Sequence, residues 1–134
     1  MLDIEMTHLR KLEESDLDII LSWRNHDEIR KYMMNDSLIT YQDHLQWFKN
    51  NQNRVDRLFY VFEYNSVPKG YVSYQKIENS LAYEWGFYIS PNSEKGMGTL
   101  LGEIALKYAF EQLDCEKIFG QVLSFNQKSM HLQH

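Results

Sequence analysis

Apolar positions recur at helical spacing in the first part of the chain. Leu17, Ile20 and Leu21 lie three and four positions apart, as residues on one helix face do. Arg24 continues the same face, so the apolar stripe ends in an arginine. Ser15 precedes the stripe and is the predicted N-cap, followed by acidic residues that suit the positive end of a helix dipole. The pattern predicts a helix that starts directly after Ser15.

A first strand at 7–12 precedes this helix, and a second helix follows it. Thr40 is the predicted N-cap of the second helix. His44, Trp47 and Phe48 are three and four positions apart and therefore share one face of it. This face carries one titratable group beside two aromatic rings, which makes it a candidate ligand wall.

After residue 50, the spacing of apolar positions changes from helical to alternating, as is typical of strands. Short polar turns separate the alternating segments, so we expect an antiparallel meander. The predicted strands cover residues 58–64, 70–77 and 81–89, with turns at 65–66 and 78–80. An amphipathic helix that ends near residue 113 and a strand at 117–123 follow. The order predicts an α/β fold of the α+β type, with helices flanking a mixed, mostly antiparallel sheet.

The composition is that of one folded domain covering residues 1–134. Hydrophobic residues make up 43% and aromatic residues 14%, enough for a packed core. The net charge of -5 argues against nucleic-acid binding, which requires a clustered basic surface. Cys115 is the only cysteine and the histidines lack ligand spacing, so no metal site is expected. With no signal peptide and no apolar run of membrane-spanning length, we expect a cytoplasmic protein that binds no membrane.

The polar loop before the third helix has the composition of an anion-binding site. Gly96 and Gly98 lie at the predicted helix start. Glycines let the backbone approach a ligand closely, and the first N–H groups of a helix can point at an anion. A pyrophosphate is the expected ligand. Thr99 follows Gly98 where a P-loop has lysine, and the third glycine of a dinucleotide-binding loop is displaced by one position. An ordinary turn is the alternative.

The segment from 84–89 through this loop to the following helix resembles the coenzyme A motif of the GNAT acetyltransferases. In that family, loop amides hold the pyrophosphate and the pantetheine lies between two splayed strands. The resemblance therefore implies a GNAT fold, acetyl-CoA as co-substrate and no metal. It departs from the family at Ser93, where glutamine or arginine is usual. The implied cofactor-binding residues are Tyr88, Ile89, Ser93, Glu94, Lys95, Gly96, Met97, Gly98, Thr99 and Asn126.

Further features extend the resemblance along the chain to about residue 130. The Trp-Arg-Asn triplet at 23–25, Arg30, Met33 and the His-x-x-Trp-Phe helix at 44–48 resemble a GNAT subgroup that acetylates larger polar substrates. Within it, the chain is most similar to the enzymes that acetylate the 4-amino group of UDP-linked amino-dideoxy sugars for pseudaminic acid, a flagellin glycan. The resemblance implies a UDP-amino-sugar partner, and a homo-oligomer is left open.

Acetyl transfer requires a deprotonated amine, an N–H donor to the oxyanion and a proton for the leaving thiolate. The resemblance implies that the donor is the backbone N–H of Tyr88 or Ile89 and that Ser73 lies near the acceptor amine. Glu84 is the expected proton relay through water. Structural roles, such as an ion pair for Arg24, are the alternatives. The expected substrate-binding residues are Arg24, His44, Trp47, Lys76 and Tyr88.

The end of the sequence departs from the family pattern. Asn126 resembles the asparagine that opens the last helix of the family. Seven positions later, where the family commonly has a tyrosine that protonates the thiolate, this chain has Gln133. Relative to the family, the rest of that helix and at least one strand are missing. We therefore expect a fold that is incomplete at the C-terminus.

Three functions are compatible with the sequence. The first is acetyl transfer to a UDP-amino sugar, favoured by Arg24, His44 and the aromatic residues beside them. The second is acetyl transfer to a protein N-terminus, as in the ribosomal-protein enzymes, or to another amine, for which an open acidic groove is expected. The third is a non-catalytic domain that binds coenzyme A or depends on a partner chain, favoured by Gln133.

Overall fold

The computed structural model describes residues 2–30 and 37–120, and its elements follow the predicted order. The strands are β1 (Thr7–Lys11), β2 (Arg57–Tyr64), β3 (Val67–Lys76), β4 (Ala82–Ile89) and β5 (Lys117–Gly120). The helices are α1 (Leu17–Asn25), α2 (Asp27–Arg30), α3 (Tyr41–Asn51) and α4 (Met97–Gln112). This arrangement confirms the predicted mixed sheet with flanking helices.

The five strands form one sheet in the order β1-β2-β3-β4-β5. Neighbours from β1 to β4 are antiparallel, and β5 is parallel to β4. Asn65 and Ser66 join β2 to β3 with φ values of 51° and 66°, the left-handed conformation of a tight hairpin turn. The predicted meander is therefore confirmed. The described part of β5 pairs with the first half of β4, from Ala82 to Trp85.

Strand β3 starts three residues earlier than predicted. The prediction placed a turn at 65–66 and began this strand at residue 70. In the structure, Pro68 pairs with Glu63 beside a register shift between Phe62 and Glu63. Bulges of this kind tolerate proline, so β3 begins at Val67.

Each face of the sheet has its own core. On one face, Leu101 and Ala105 of α4 are fully buried against Val72 and Tyr74 of β3. On the other face, α1 and α3 cover Val61 and Tyr88, together with the other members of a second cluster. The helical stripe predicted for α4 is thus confirmed. The pockets described below lie on the face that α1 and α3 cover.

The start of α1 differs from the prediction. Ser15 lies inside a short 3-10 turn, and α1 begins at Leu17, so the predicted serine cap is wrong. The buried carboxylate of Asp16 accepts two hydrogen bonds of 2.8 Å from the Arg10 guanidinium and one of 2.8 Å from the N–H of Glu13. A charged network therefore anchors this helix start where a serine side chain was expected.

Several predictions lie outside the described residues. The predicted strand at 117–123 is described as far as Gly120. The predicted helix at 126–134, with Asn126 and Gln133, and the residue Met33 are not among the described positions.

Candidate active site

The sheet face under α1 and α3 carries three rows of side chains. Antiparallel register places residues from β2, β3 and β4 side by side on this face. From the outer end inwards, we call them the polar row, the serine row and the tyrosine row. They are Arg57, Gln75 and Glu84; then Phe59, Ser73 and Gly86; then Val61, Tyr71 and Tyr88.

Two adjacent pockets open on this side of the sheet. The first, here the sheet pocket, has a volume of about 370 Å³ and lies over the polar and serine rows. The second, here the helix pocket, has a volume of about 560 Å³ and is lined by Arg24, His44 and residues 37–39. Trp47, Tyr71 and Tyr88 line both pockets. A ligand longer than either pocket can therefore extend from one into the other.

An aromatic wall joins the two pockets. The rings of His44 and Trp47 stack with centroids 5.2 Å apart, and Trp47 meets Phe59 edge-on at 4.8 Å. Phe59 stacks on Tyr71 at 6.5 Å, and Tyr71 packs against Tyr88 at 5.0 Å. Interlocked rings of this kind hold one another in place and present flat apolar surface to a ligand.

His44 is a neutral histidine that lines the helix pocket. Its side chain is 8% exposed, and burial and the charge of Arg24 lower its pKa, against a hydrogen bond to the backbone of Leu17 that raises it. Its Nδ1 atom is buried and has no hydrogen-bond partner in the described part of the chain. The other ring nitrogen donates the hydrogen bond to the Leu17 backbone, so Nδ1 of neutral His44 carries no proton and can accept one hydrogen bond from a ligand.

The two tyrosines of the tyrosine row, Tyr71 and Tyr88, are also uncharged. Burial raises the pKa of Tyr71, while a hydrogen bond with Ser73 and the charge of Arg57 act in the opposite direction. Burial and the neighbouring Tyr71 raise the pKa of Tyr88, and Arg24 opposes that shift. Both phenols therefore keep their protons at neutral pH and act as hydrogen-bond donors. Ser73 lies beside Tyr71 on the same face of β3, and both line the sheet pocket.

The loop before α4 has free backbone donors. Gly96 is the N-cap of α4 with φ of 93°, a left-handed conformation that favours glycine. The N–H groups of Lys95, Gly96 and Gly98 have no partner within residues 2–30 and 37–120. The N–H of Met97, in contrast, donates to the Glu94 carbonyl at 3.1 Å, and the Met97 side chain is buried in the core under α4. The free amides fit a pyrophosphate at the start of a helix.

Ser93 contributes to the shape of the loop. Its hydroxyl lies 2.6 Å from that of Ser90, and its N–H donates to the Ser90 carbonyl at 3.2 Å. These contacts tie the loop to the end of β4. We therefore expect Ser93 to position the loop amides, while Glu94 and Thr99 lie beside them in the chain.

Hydrogen bonding along β4 separates the two predicted backbone donors. The N–H of Ser90 donates to the Lys69 carbonyl of β3 at 2.7 Å, and the same alternation holds at the other end of the strand. Alternate residues of a strand direct their N–H groups to opposite neighbours. The N–H of Tyr88 therefore faces β3, whereas those of Phe87 and Ile89 face the β5 side. Of the two candidates, only Ile89 directs its N–H to the side where the cofactor is expected.

The structure brings most of the predicted side chains together. Ser73, Glu84 and Tyr88 line the sheet pocket, and Arg24 and His44 line the helix pocket. Trp47 and Tyr88 lie at the junction.

Lys76 is not part of this group and lines neither pocket. Side chains alternate along β3, and Gln75 rather than Lys76 belongs to the polar row. Lys76 therefore lies on the α4 face at the exposed end of the strand.

Sequence reasoning missed several residues that line the pockets. Arg57, Tyr71 and Gly86 line the sheet pocket through their strand register. A glycine within an alternating strand is a signal for close ligand approach, and Gly86 was detectable in that way. Arg57 and Tyr71 had no comparable signal, because their positions depend on pairing with distant residues.

Neither a metal site nor a membrane-spanning helix was found in the described part of the chain. No group of three or more His, Cys, Asp or Glu side chains could hold a metal ion among these residues. None of the described helices is long and apolar enough to cross a membrane.

A protein-family model described as an acetyltransferase (GNAT) domain matches residues 7–133. Among curated proteins, the chain is similar to a Campylobacter jejuni protein named Acetyltransferase PseH, from strain 81-176. The two are 29% identical over 130 residues, which cover 96% of this chain and 80% of the relative. The protein of the same name from strain NCTC 11168 is 28% identical with the same coverage.

Solved structures show the same fold. Spermidine N-acetyltransferase from Vibrio cholerae, crystallised with CoA and spermine, has a TM-score of 0.84 and 25% identity, covering 96% of this chain and 78% of that chain. The N-acetyltransferase PseH from Campylobacter jejuni has a TM-score of 0.70 and 22% identity, covering 96% and 84%. The similarity extends over nearly the whole of this chain in both cases.

Proposed function

This chain belongs to the GNAT acetyltransferase family, and we propose that it acetylates the 4-amino group of a UDP-linked amino-dideoxy sugar. Family membership makes it an N-acetyltransferase with acetyl-CoA as co-substrate. The curated relatives named PseH match the subgroup that the sequence resembles, which supports this acceptor. Its role in a flagellin glycan pathway, its cytoplasmic location and a homo-oligomeric state belong to the same proposal.

The observation that carries the proposal is the pair of pockets joined at the aromatic wall. In the helix pocket, Arg24 offers a cation for a diphosphate, and neutral His44 beside the Trp47 ring suits a flat base. In the sheet pocket, Ser73 lies beside Tyr71 at the position proposed for the amine. A nucleotide sugar is long enough to place its two ends in these two environments.

The residues of the chain fit the steps of acetyl transfer. Acetyl-CoA supplies an activated acetyl thioester, which the neutral amine attacks. Ser73 orients the amine, and Glu84, exposed at the pocket rim, accepts its proton through water. The N–H of Ile89 donates to the oxygen on which negative charge develops. The C–S bond of the thioester then breaks, and coenzyme A leaves as a thiolate that takes a proton from water. The free amides of the loop before α4 bind the pyrophosphate.

A polyamine is the second candidate acceptor, because the Vibrio cholerae structure with a TM-score of 0.84 is a spermidine acetyltransferase. Spermidine carries several positive charges and favours a pocket lined by carboxylates. Among the described lining residues, each pocket has an arginine, Arg57 or Arg24, and one carboxylate, Glu84 or Asp43. This balance favours the sugar nucleotide over the polyamine.

The acceptor is tested by measuring kcat/KM for three amines at saturating acetyl-CoA, with product mass as the readout. We expect a UDP-linked 4-amino-4,6-dideoxy sugar to exceed both spermidine and a ribosomal-protein N-terminal peptide. Arg24→Gln should raise KM for the sugar nucleotide by about tenfold or more, as loss of a charged hydrogen bond does. Arg54→Gln, which changes an exposed arginine paired with Asp56, is the matched control. A preference for spermidine or the peptide contradicts the proposal.

A further inference from the structure

Gly86 has no structural reason to be a glycine. It pairs with Ser73 in the middle of β4, and its backbone does not adopt the left-handed conformation. A Cβ atom added there would meet one heavy atom within 4 Å in the described part of the chain, the Oγ of Ser73 at 3.9 Å. Glycine weakens a strand interior, so a residue with a side chain would stabilise the strand better. The missing side chain instead leaves open space at the floor of the sheet pocket.

Arg57 lies at the outer end of the same pocket with a donor that is not used. Its Nε–H is buried and has no hydrogen-bond partner among the residues that the structure describes. Arg54, three positions earlier, donates from Nε and Nη2 to Asp56 at 2.9 and 2.7 Å. A buried donor without a partner is unfavourable, so a ligand oxygen at Arg57 Nε would stabilise this arrangement.

The register brings these two features close to Ser73. Arg57 pairs with Gln75, which is two residues from Ser73 on the same face. Diagonal neighbours on a sheet face are about 7–8 Å apart, a distance that an arginine side chain spans. Arg57 can therefore reach a group next to the one that contacts Ser73, and Ser73 pairs with Gly86 on the neighbouring strand.

Resting on the proposed function, we infer that the acceptor sugar ring lies over Gly86 and that Arg57 donates its buried Nε–H to the C3 hydroxyl. C3 is the ring carbon next to the one that carries the amine, and its hydroxyl is an acceptor for a side chain that only donates. Arg57 is then a specificity-determining residue, because a site built to bind a hydroxyl discriminates against the analogue that lacks it. Because Gly86 has no side chain, it leaves space for the sugar ring.

The test compares two acceptors, the UDP-linked 4-amino-4,6-dideoxy sugar and its 3-deoxy analogue, in wild type and four variants. Arg57→Gln should raise KM for the hydroxylated acceptor by about tenfold or more and leave KM for the 3-deoxy acceptor nearly unchanged. Arg57→Lys keeps the charge without the Nε–H and should lose the same discrimination. Gly86→Ala should raise KM for both acceptors. Arg54→Gln should match wild type, and acetyl-CoA affinity should stay constant throughout.

The outcomes separate this inference from the proposed function. Suppose that wild type acetylates the sugar, but that Arg57→Gln leaves KM unchanged or changes it equally for both acceptors. Then the role of Arg57 is wrong, while the proposed function stands. An unchanged KM in Gly86→Ala overturns the placement of the ring. If wild type acetylates neither sugar, both the proposed function and this inference are wrong. Thermal unfolding of Arg57→Lys checks that a loss of discrimination does not come from unfolding.

Discussion

His44 shows how burial sets the chemistry of a single side chain in this site. Burial and Arg24 lower its pKa below the ordinary value of 6.5. The unfolded chain therefore binds a proton at a higher pH than the folded chain does. The stability that neutral His44 contributes is fully present above pH 6.5 and is lost as pH falls through the lower pKa of the folded state.

We expect His44→Gln to weaken this pH dependence. Glutamine does not titrate, so the variant should lose less stability between about pH 7 and about pH 5 than wild type. The measurement is the thermal midpoint at both pH values, with His8→Gln, on strand β1, as the matched histidine control. Equal losses in His44→Gln and wild type would contradict the assignment of the acid-side loss to His44.

At the level of single residues, the sequence predicted the type of side chain better than its location. His44 and Trp47 were expected together because helical spacing fixes which residues of one helix share a face. Arg24 lies on another helix, and its predicted place beside them came from the family resemblance. Arg57 was missed because its place beside Gln75 depends on the register of β3 against β2, which is not contained in local sequence. Lys76 was misplaced although alternation along β3 already puts it on the opposite face from Ser73.

Among the elements, α4 begins with a feature that the sequence did predict. Gly96 precedes the helix with φ of 93°, and the unpaired N–H groups around it are the expected pyrophosphate donors. The loop composition was sufficient for this prediction because glycine and a helix start are local features. The start of α1 was not predictable in this way, since Arg10 and Asp16 meet there through the fold.

We expect Gly96→Ala to weaken acetyl-CoA binding. Alanine at a positive φ destabilises the native backbone by about 1–3 kcal/mol, and relaxation of the loop would turn its amides away from the ligand. Calorimetric titration should show a rise in Kd of about tenfold, which corresponds to about 1.4 kcal/mol. Glu103→Ala, on the exposed side of α4, is the control. An unchanged Kd in a folded Gly96→Ala protein would remove the loop from the cofactor site.

At the scale of the whole molecule, the sheet separates two tasks. Helix α4 and its loop lie on one face, while α1 and α3 cover the two pockets on the other. Strand β4 takes part in both sites, because its side chains line the sheet pocket and its outward N–H groups face the β5 side. In the proposed function, an acceptor in these pockets would meet the thioester at the edge of β4.

The sequence predicted this architecture but not its pockets. Alternating and helical patterns identify strands and helices, and short turns imply antiparallel neighbours. The sheet pocket depends on three strands in register and on Trp47 from α3, contacts that are distant in sequence. One catalytic domain over residues 1–134 and the roles of Asn126 and Gln133 stay predictions.

The most direct test of the whole account is the acetyl-transfer rate of Ser73→Ala with the UDP-linked 4-amino-4,6-dideoxy sugar. Ser73 is the residue at which the acceptor amine, the Tyr71 hydroxyl and the open floor at Gly86 are expected to meet. We predict that kcat/KM falls by about 100-fold, as expected when a reacting amine is no longer held in position, while the Kd of acetyl-CoA is unchanged. A rate equal to that of wild type would place the reaction away from the sheet pocket and contradict the account.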